Sequence, residues 1–195
     1  MLSSHILLAL GWMTYGILHS LLATTSVKNW FAVRFGTTMV QYRGGYIAFA
    51  TVSMAALIVY EWMMKSRYVF TPGLASKLSG ILLGSLGVAL MSICIWKYFL
   101  RLSGIRSAGG QAVENKLRIE GVHRLVRHPL YLGTFAALWG LFFLLPLGSV
   151  LVSNVVITLY TLLAIPFEER KLIIEFGEDY VRYRQRVPMI LPFWK

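Results

Sequence analysis

Cysteine is nearly absent: Cys94 is the single one in 195 residues. One thiol closes no intrachain disulfide and builds no Cys-rich metal site, so a disulfide-framed secreted domain is excluded. Acid is scarce too, with 8 Asp and Glu against 19 Lys and Arg, and charged residues make up only 14% of the chain where about 25% is usual. Disordered chains live on charge and lack apolar mass, so that class falls as well. What is abundant is hydrophobicity: 57% apolar residues against roughly 45–50% in soluble domains, and a mean hydropathy of +0.64. The excess needs a nonaqueous home, and the chain reads as an all-α integral membrane protein. Cys94, inside an apolar run, reads as a small buried hydrophobe.

Four uncharged stretches stand out: Ile6 to Val27, Gly44 to Tyr60, Leu78 to Trp96, and Pro129 to Phe167, the last interrupted by Pro146, Leu147 and Gly148. A spanning helix needs about 17–25 residues. The first three qualify directly, and the fourth reads as a tight helical hairpin with short or tilted arms. Five transmembrane helices are predicted. No Lys or Arg precedes Lys28 and the first run is long for a secretory signal, so it is expected to persist as a helix.

The cations are distributed unevenly. With five spans, one side carries 16 of them, in the loop of Lys28, Arg34 and Arg43, in the loop before the hairpin and in the C-terminal tail, while Lys65, Arg67 and Lys77 stand opposite. The positive-inside rule makes the richer side cytoplasmic, with the N-terminus outside. Topology thus accounts for the net +11, and no recognition motif for nucleic acid accompanies it. The expected setting is a multi-pass protein of a prokaryotic inner membrane, in contact with lipid.

The polar chemistry collects in Arg101 to Tyr131 and in Pro166 to Pro192, which together hold two of the four histidines and seven of the eight acids. Two regions of one continuous membrane domain follow: 1–100 as an N-terminal three-helix part, and 101–195 with the loop, the hairpin and the terminal helices. Pro129 suits the first position of a helix, leaving free N–H groups, His128 and Arg127 at one spot. An anionic group would bind there, or the spot is simply a membrane helix flanked by interfacial Arg and His. Pro166 is expected to begin a helical segment with Glu168 and Glu169 in its first turn, either capping the helix or turning a carboxylate toward the hairpin while Leu172 and Phe176 pack. Gly177 permits a break, after which Tyr180 and Tyr183 share a face of a short helix. A carboxylate with aromatic walls would hold a cation, an amine or a ribose. GxGxxG, P-loop, HExxH and GxSxG patterns are missing, so Rossmann, nucleotide-hydrolysing, zinc-protease and serine-hydrolase chemistry have no support. His19 with Ser20, inside the first run, is either a functional intramembrane group or a hydrogen-bonded structural one.

The run Gly121-Val122-His123-Arg124-Leu125-Val126-Arg127-His128-Pro129-Leu130-Tyr131, followed by a hairpin and then Glu168-Glu169, Leu172, Phe176-Gly177, Tyr180, Tyr183 and Val187-Pro188, resembles the isoprenylcysteine carboxyl methyltransferase superfamily of integral membrane S-adenosylmethionine (SAM) enzymes. The likeness covers about the C-terminal half. Leu18-His19-Ser20-Leu21-Leu22-Ala23 resembles the bacterial branch that includes methanethiol S-methyltransferase. The resemblance implies a SAM-dependent methyltransferase with a cytoplasmic cofactor pocket closed by the C-terminal tail. Carried over by position, Gln111, Asn115, Lys116, Leu117, Arg118, His123, His128, Pro129, Leu130, Tyr131 and Glu168 would line the cofactor. His123 stands where the family usually has Tyr. Ala164 stands where the carboxyl methyltransferases place an arginine for the substrate carboxylate, so a small or lipophilic thiol is the expected acceptor rather than a prenylcysteine carboxylate. Methyl transfer asks chiefly for alignment, and a thiol must also lose its proton; His19 and His128 are the base candidates. The alternatives are carboxyl methylation of prenylcysteine, an NADPH-dependent membrane reductase that shares the Arg-His-Pro-x-Tyr element, and a non-catalytic carrier.

Overall fold

The computed structural model describes residues 2–99, 117 and 119–192. Seven α-helices are seen among them: α1 (Leu2–Leu22), α2 (Thr25–Phe35), α3 (Met39–Met63), α4 (Leu74–Cys94, continued by a π-helical turn Ile95–Phe99), α5 (Pro129–Leu144), α6 (Gly148–Phe176) and α7 (Glu178–Arg186). A 3-10 turn, Gly121–Arg124, precedes α5. Among the described residues the one extended pairing is an isolated bridge between Tyr68 and Leu147. The all-helical expectation holds.

Four helices are long and apolar enough to cross a membrane: Leu2–Leu22, Met39–Met63, Leu74–Lys97 and Gly148–Phe176. Helix α5 has 16 residues, about 24 Å at 1.5 Å per residue, against a hydrocarbon core of about 30 Å. Helix α6, with 29 residues, is longer than a span requires.

Two boundaries differ from the sequence reading. The first apolar run does not continue to Val27. Helix α1 stops at Leu22, and Thr24 caps a new helix by accepting from the Val27 N–H at 3.4 Å, while Gly36 closes α2 with φ 62°. Ser, Thr and Asn at such junctions offer the backbone an alternative to continuing a helix. Nor does Pro166 begin a helix; it lies inside α6. Proline removes one i→i−4 hydrogen bond, a loss that apolar helices tolerate when packing holds them straight.

The chain forms two compact units, 1–71 with 146–160 and 72–145 with 161–195. In the first, α1, α3 and the early part of α6 are tied by buried and half-buried polar contacts. Trp12 Nε1 donates to Ser153 Oγ at 2.8 Å, and Ser153 donates on to Glu61 Oε2 at 2.8 Å. Tyr160 donates to Ser20 Oγ at 2.6 Å. In an apolar medium such polar groups have no water to turn to, so they bond one another.

The second unit is built on a close crossing of α4 and α5. A Cβ added to Gly87 would stand 2.6 Å from the Gly133 carbonyl oxygen, and one added to Gly80 would stand 2.8 Å from that of Gly140. Only hydrogen at these positions lets the two backbones come so near, the small-residue packing common between membrane helices. Ser76 seals the crossing by donating to the Phe143 carbonyl. The same unit carries the polar site.

Candidate functional site

The site lies where the chain entering α5 meets the end of α6 and the tail that follows it. Pro129 occupies the first turn of α5, as its missing N–H and fixed φ favour. The residues before it pair with the tail: Arg127 N–H donates to the Pro188 carbonyl at 2.9 Å and His128 N–H to that of Met189 at 3.1 Å. Arg127 adds side-chain bonds from Nη1 to the carbonyls of Arg184 (3.0 Å) and Val187 (2.6 Å). Tyr183 donates to the His123 carbonyl at 2.8 Å. Five hydrogen bonds therefore strap the tail to this short segment.

Two adjacent carboxylates of α6 face the strap and do different things. Glu169 is buried, and its Oε1 accepts from Arg127 Nε at 2.7 Å and lies 3.2 Å from His128 Nε2, while Arg184 Nε stands 3.6 Å from Oε2. Glu168 is 45% exposed at its side chain; its Oε2 accepts from the Tyr131 hydroxyl at 2.8 Å and lies 3.9 Å from His128 Nδ1. The rings of His128 and Tyr131 stack with centroids 5.5 Å apart. One carboxylate is thus consumed by structure and the other is presented to an open side.

Beneath the strap, Tyr180, Tyr183 and Val187 form a buried cluster with Leu117, Ile119, Leu172, Ile173 and Phe176 packed against it. The pairing of Leu172 with Phe176 and of Tyr180 with Tyr183 was readable from their spacing. Gly177, at φ 57°, makes the break between α6 and α7 that places them. Tyr180 is 2% exposed, so it is packing and not a wall for a ligand. Burial, followed by the nearby Glu169 charge, pushes its hydroxyl above the ordinary value of 10.0. Burial also lowers His123 below 6.5, with the neighbouring His128 acting the same way and a backbone hydrogen bond opposing them.

Of the residues singled out by sequence, His123, His128, Pro129, Leu130, Tyr131 and Glu168 fall within this one region, and Leu117 belongs to its apolar floor. Gln111, Asn115, Lys116 and Arg118 lie outside the described residues. His19 belongs to the other unit, where its ring nitrogens stand 3.0 and 3.2 Å from the Tyr46 hydroxyl and Tyr15 packs beside it. The anion expected at the start of α5 is supplied by the protein itself, as Glu169. The cluster of Glu169, Arg127 and Arg184 is invisible in the sequence, because 42 residues separate Arg127 from Glu169 and no local pattern links them. An open pocket of about 420 Å³ is lined by Leu117, Ile119, Tyr183 and Val187 together with Asp179, Arg182 and Arg186.

The family model described as phospholipid methyltransferase matches residues 79–179. Methanethiol S-methyltransferase 2 of Bradyrhizobium diazoefficiens is 34% identical over 186 residues, covering 91% of this chain and 69% of the relative. Methanethiol S-methyltransferase 1 of the same organism is 29% identical over 187 residues, 92% of this chain and 64% of the relative. Protein-S-isoprenylcysteine O-methyltransferase B of Arabidopsis thaliana is 34% identical over 151 residues, 72% of this chain and 73% of the relative. The chain therefore spans somewhat less than two thirds of the length of one methanethiol relative and somewhat more of the other. No solved structure matches it.

Proposed function

The chain belongs to the phospholipid methyltransferase family, and from that premise we propose that it is an integral membrane SAM-dependent methyltransferase acting on a small or lipophilic thiol, methanethiol being the simplest. The observation that carries the reading is the division of labour between the two acids. Glu169 is neutralised within the fold, whereas Glu168, oriented by Tyr131, keeps an oxygen, Oε1, with no hydrogen-bond partner among the described residues.

A half-exposed carboxylate beside two stacked rings fits the chemistry of SAM, which carries hydroxyl and amine donors and a positive charge. When bound, SAM supplies an electrophilic methyl on a sulfonium, and transfer to a thiolate sulfur leaves a neutral thioether. The protein's part is to hold, align and exclude water. Glu168 would accept from the cofactor's donors, Tyr131 fixes Glu168 by its hydroxyl, and His128 together with Leu130 and Leu117 would complete the wall. The strapped tail fixes the backbone of Arg127 and His128 behind that wall. The topology that goes with this reading has α5 as a short fifth span, the N-terminus outside and the site on the cytoplasmic face of a prokaryotic inner membrane, in keeping with the cation distribution.

Ala164 favours a thiol over a carboxylate acceptor, since a methyl group offers no partner to an anion. Binding of tritiated SAM to the purified protein, with NADPH as competitor, tests the class. Saturable binding unaffected by NADPH is expected. Displacement by NADPH would make the protein a reductase, and absence of SAM binding would leave a carrier.

A further inference from the structure

Glu169 has no direct role in the proposed chemistry, yet it is 4% exposed and in contact with His128, a residue of the proposed cofactor wall. A carboxylate only accepts hydrogen bonds. Its Oε1 lies 3.2 Å from His128 Nε2 and already receives Arg127 Nε at 2.7 Å, a distance typical of a charge-assisted bond to an ionised acid. A neutral imidazole meeting such an acid through Nε2 must carry its proton there, which strips the proton from Nδ1. That second nitrogen faces Glu168, 3.9 Å from Oε2.

We infer that Glu169 is a positioning residue: its buried carboxylate holds His128 as the Nε2–H tautomer, so that Nδ1 faces the Glu168 side as a bare acceptor. The inference rests on the cofactor reading for its consequence, though not for its geometry. Two acceptors, Nδ1 and the Glu168 carboxylate, then converge on one spot, and the group seated between them must be a hydrogen-bond donor or a cation. Arg127 supports the arrangement, because its guanidinium keeps Glu169 ionised and its remaining bonds fix it to the tail. Glu168 and Tyr131 flank the ring from α6 and α5, Arg184 reaches Glu169 from α7, and His123 stands nearby on the 3-10 turn.

The four histidines make the tautomer directly readable by nitrogen-15 NMR of histidine-labelled full-length protein in detergent, with His128→Gln used for assignment. In the absence of SAM, His128 is expected to be protonated at Nε2 and bare at Nδ1. Glu169→Gln, whose amide can donate as well as accept, should shift the ring toward the Nδ1–H form and weaken SAM binding by about tenfold. Tyr183→Phe, which removes the hydroxyl that donates to the His123 carbonyl, should leave the tautomer as it is. A proton on Nδ1 in the unmodified protein would overturn the inference, as would wild-type SAM affinity in Glu169→Gln. Should the variant fail to fold, the tautomer of the unmodified protein still decides. Absence of SAM binding with the Nε2–H form intact would instead strike the cofactor reading alone.

Discussion

The guanidinium of Arg127 and the carboxylate of Glu169 meet at 2.7 Å with side chains 9% and 6% exposed, joining the approach to α5 to the end of α6. Charges so far from water are expensive to separate, because removing one leaves the other unsolvated. Arg127→Met is expected to destabilise the fold by about 3 kcal/mol, while Arg127→Met with Glu169→Leu recovers most of that loss, since no charge is then stranded. Unfolding in mixed detergent micelles measures both. Equal stability of the single variant and the parent would show that water reaches the pair.

Tyr131 fixes Glu168 through one hydroxyl. Tyr131→Phe keeps the ring that stacks on His128 and loses the hydroxyl that donates to Oε2. Because Glu168 is partly exposed, water replaces some of the loss, and the cost is about 1 kcal/mol. Calorimetry of SAM binding should show affinity roughly fivefold weaker. An unaltered affinity would remove Tyr131 from the proposed site.

The α4–α5 crossing makes a sharp steric prediction. Gly87→Leu inserts a side chain where a Cβ alone would stand 2.6 Å from the Gly133 carbonyl oxygen, whereas Gly45, on α3, has nothing within 4 Å of its Cβ position. Gly87→Leu should lower stability by about 3 kcal/mol or abolish folding, and Gly45→Leu should be close to neutral. The comparison of the two midpoints in detergent removes the general effect of replacing glycine in a helix.

Two titrations outside the spans bound the pH range of greatest stability. His123 is depressed on folding, so the unfolded chain binds its proton more readily; its contribution is complete above about 6.5 and is lost as pH falls through the folded value. Tyr180 is raised, so its contribution is complete below about 10 and fades as pH rises toward the folded value. Thermal midpoints across pH should form a plateau between these limits. His123→Gln is expected to flatten the slope just below pH 6.5, and a slope identical to the parent's would show that His123 titrates normally.

Much of this was readable beforehand because hydropathy and short spacings report local structure. The apolar runs located the long helices, Pro129 marked the start of α5, and Gly177 marked the break before Tyr180 and Tyr183. The cap at Thr24 is not legible in hydropathy, because the uncharged run continues on both sides of it and a side-chain cap leaves no mark there. Pro166 departs from expectation for a related reason: proline is a breaker in isolation, yet α6 continues through it. Gly80, Gly84 and Gly87 have the spacing of a helix-contact face, but their partners Gly133 and Gly140 lie far along the chain. The Glu169 cluster was hidden in the same way, since burial and long-range pairing leave no local trace.

On the proposed reading, specificity rests on a residue that is small. Ala164 is half-buried on α6, one turn before Glu168. An acceptor carboxylate brought near it would lose water and gain no cation, at a cost that favours neutral or thiol substrates. The purified protein is expected to methylate methanethiol or a longer alkyl thiol and to leave a prenylcysteine analogue unesterified. Rate should rise with pH across the range in which the free thiol ionises, because the thiolate is the nucleophile. Ala164→Arg would be expected to depress thiol turnover by crowding the site. Robust methyl-ester formation on the prenylcysteine analogue by the unmodified protein would show that another cation does the work assigned to arginine in the carboxyl methyltransferases.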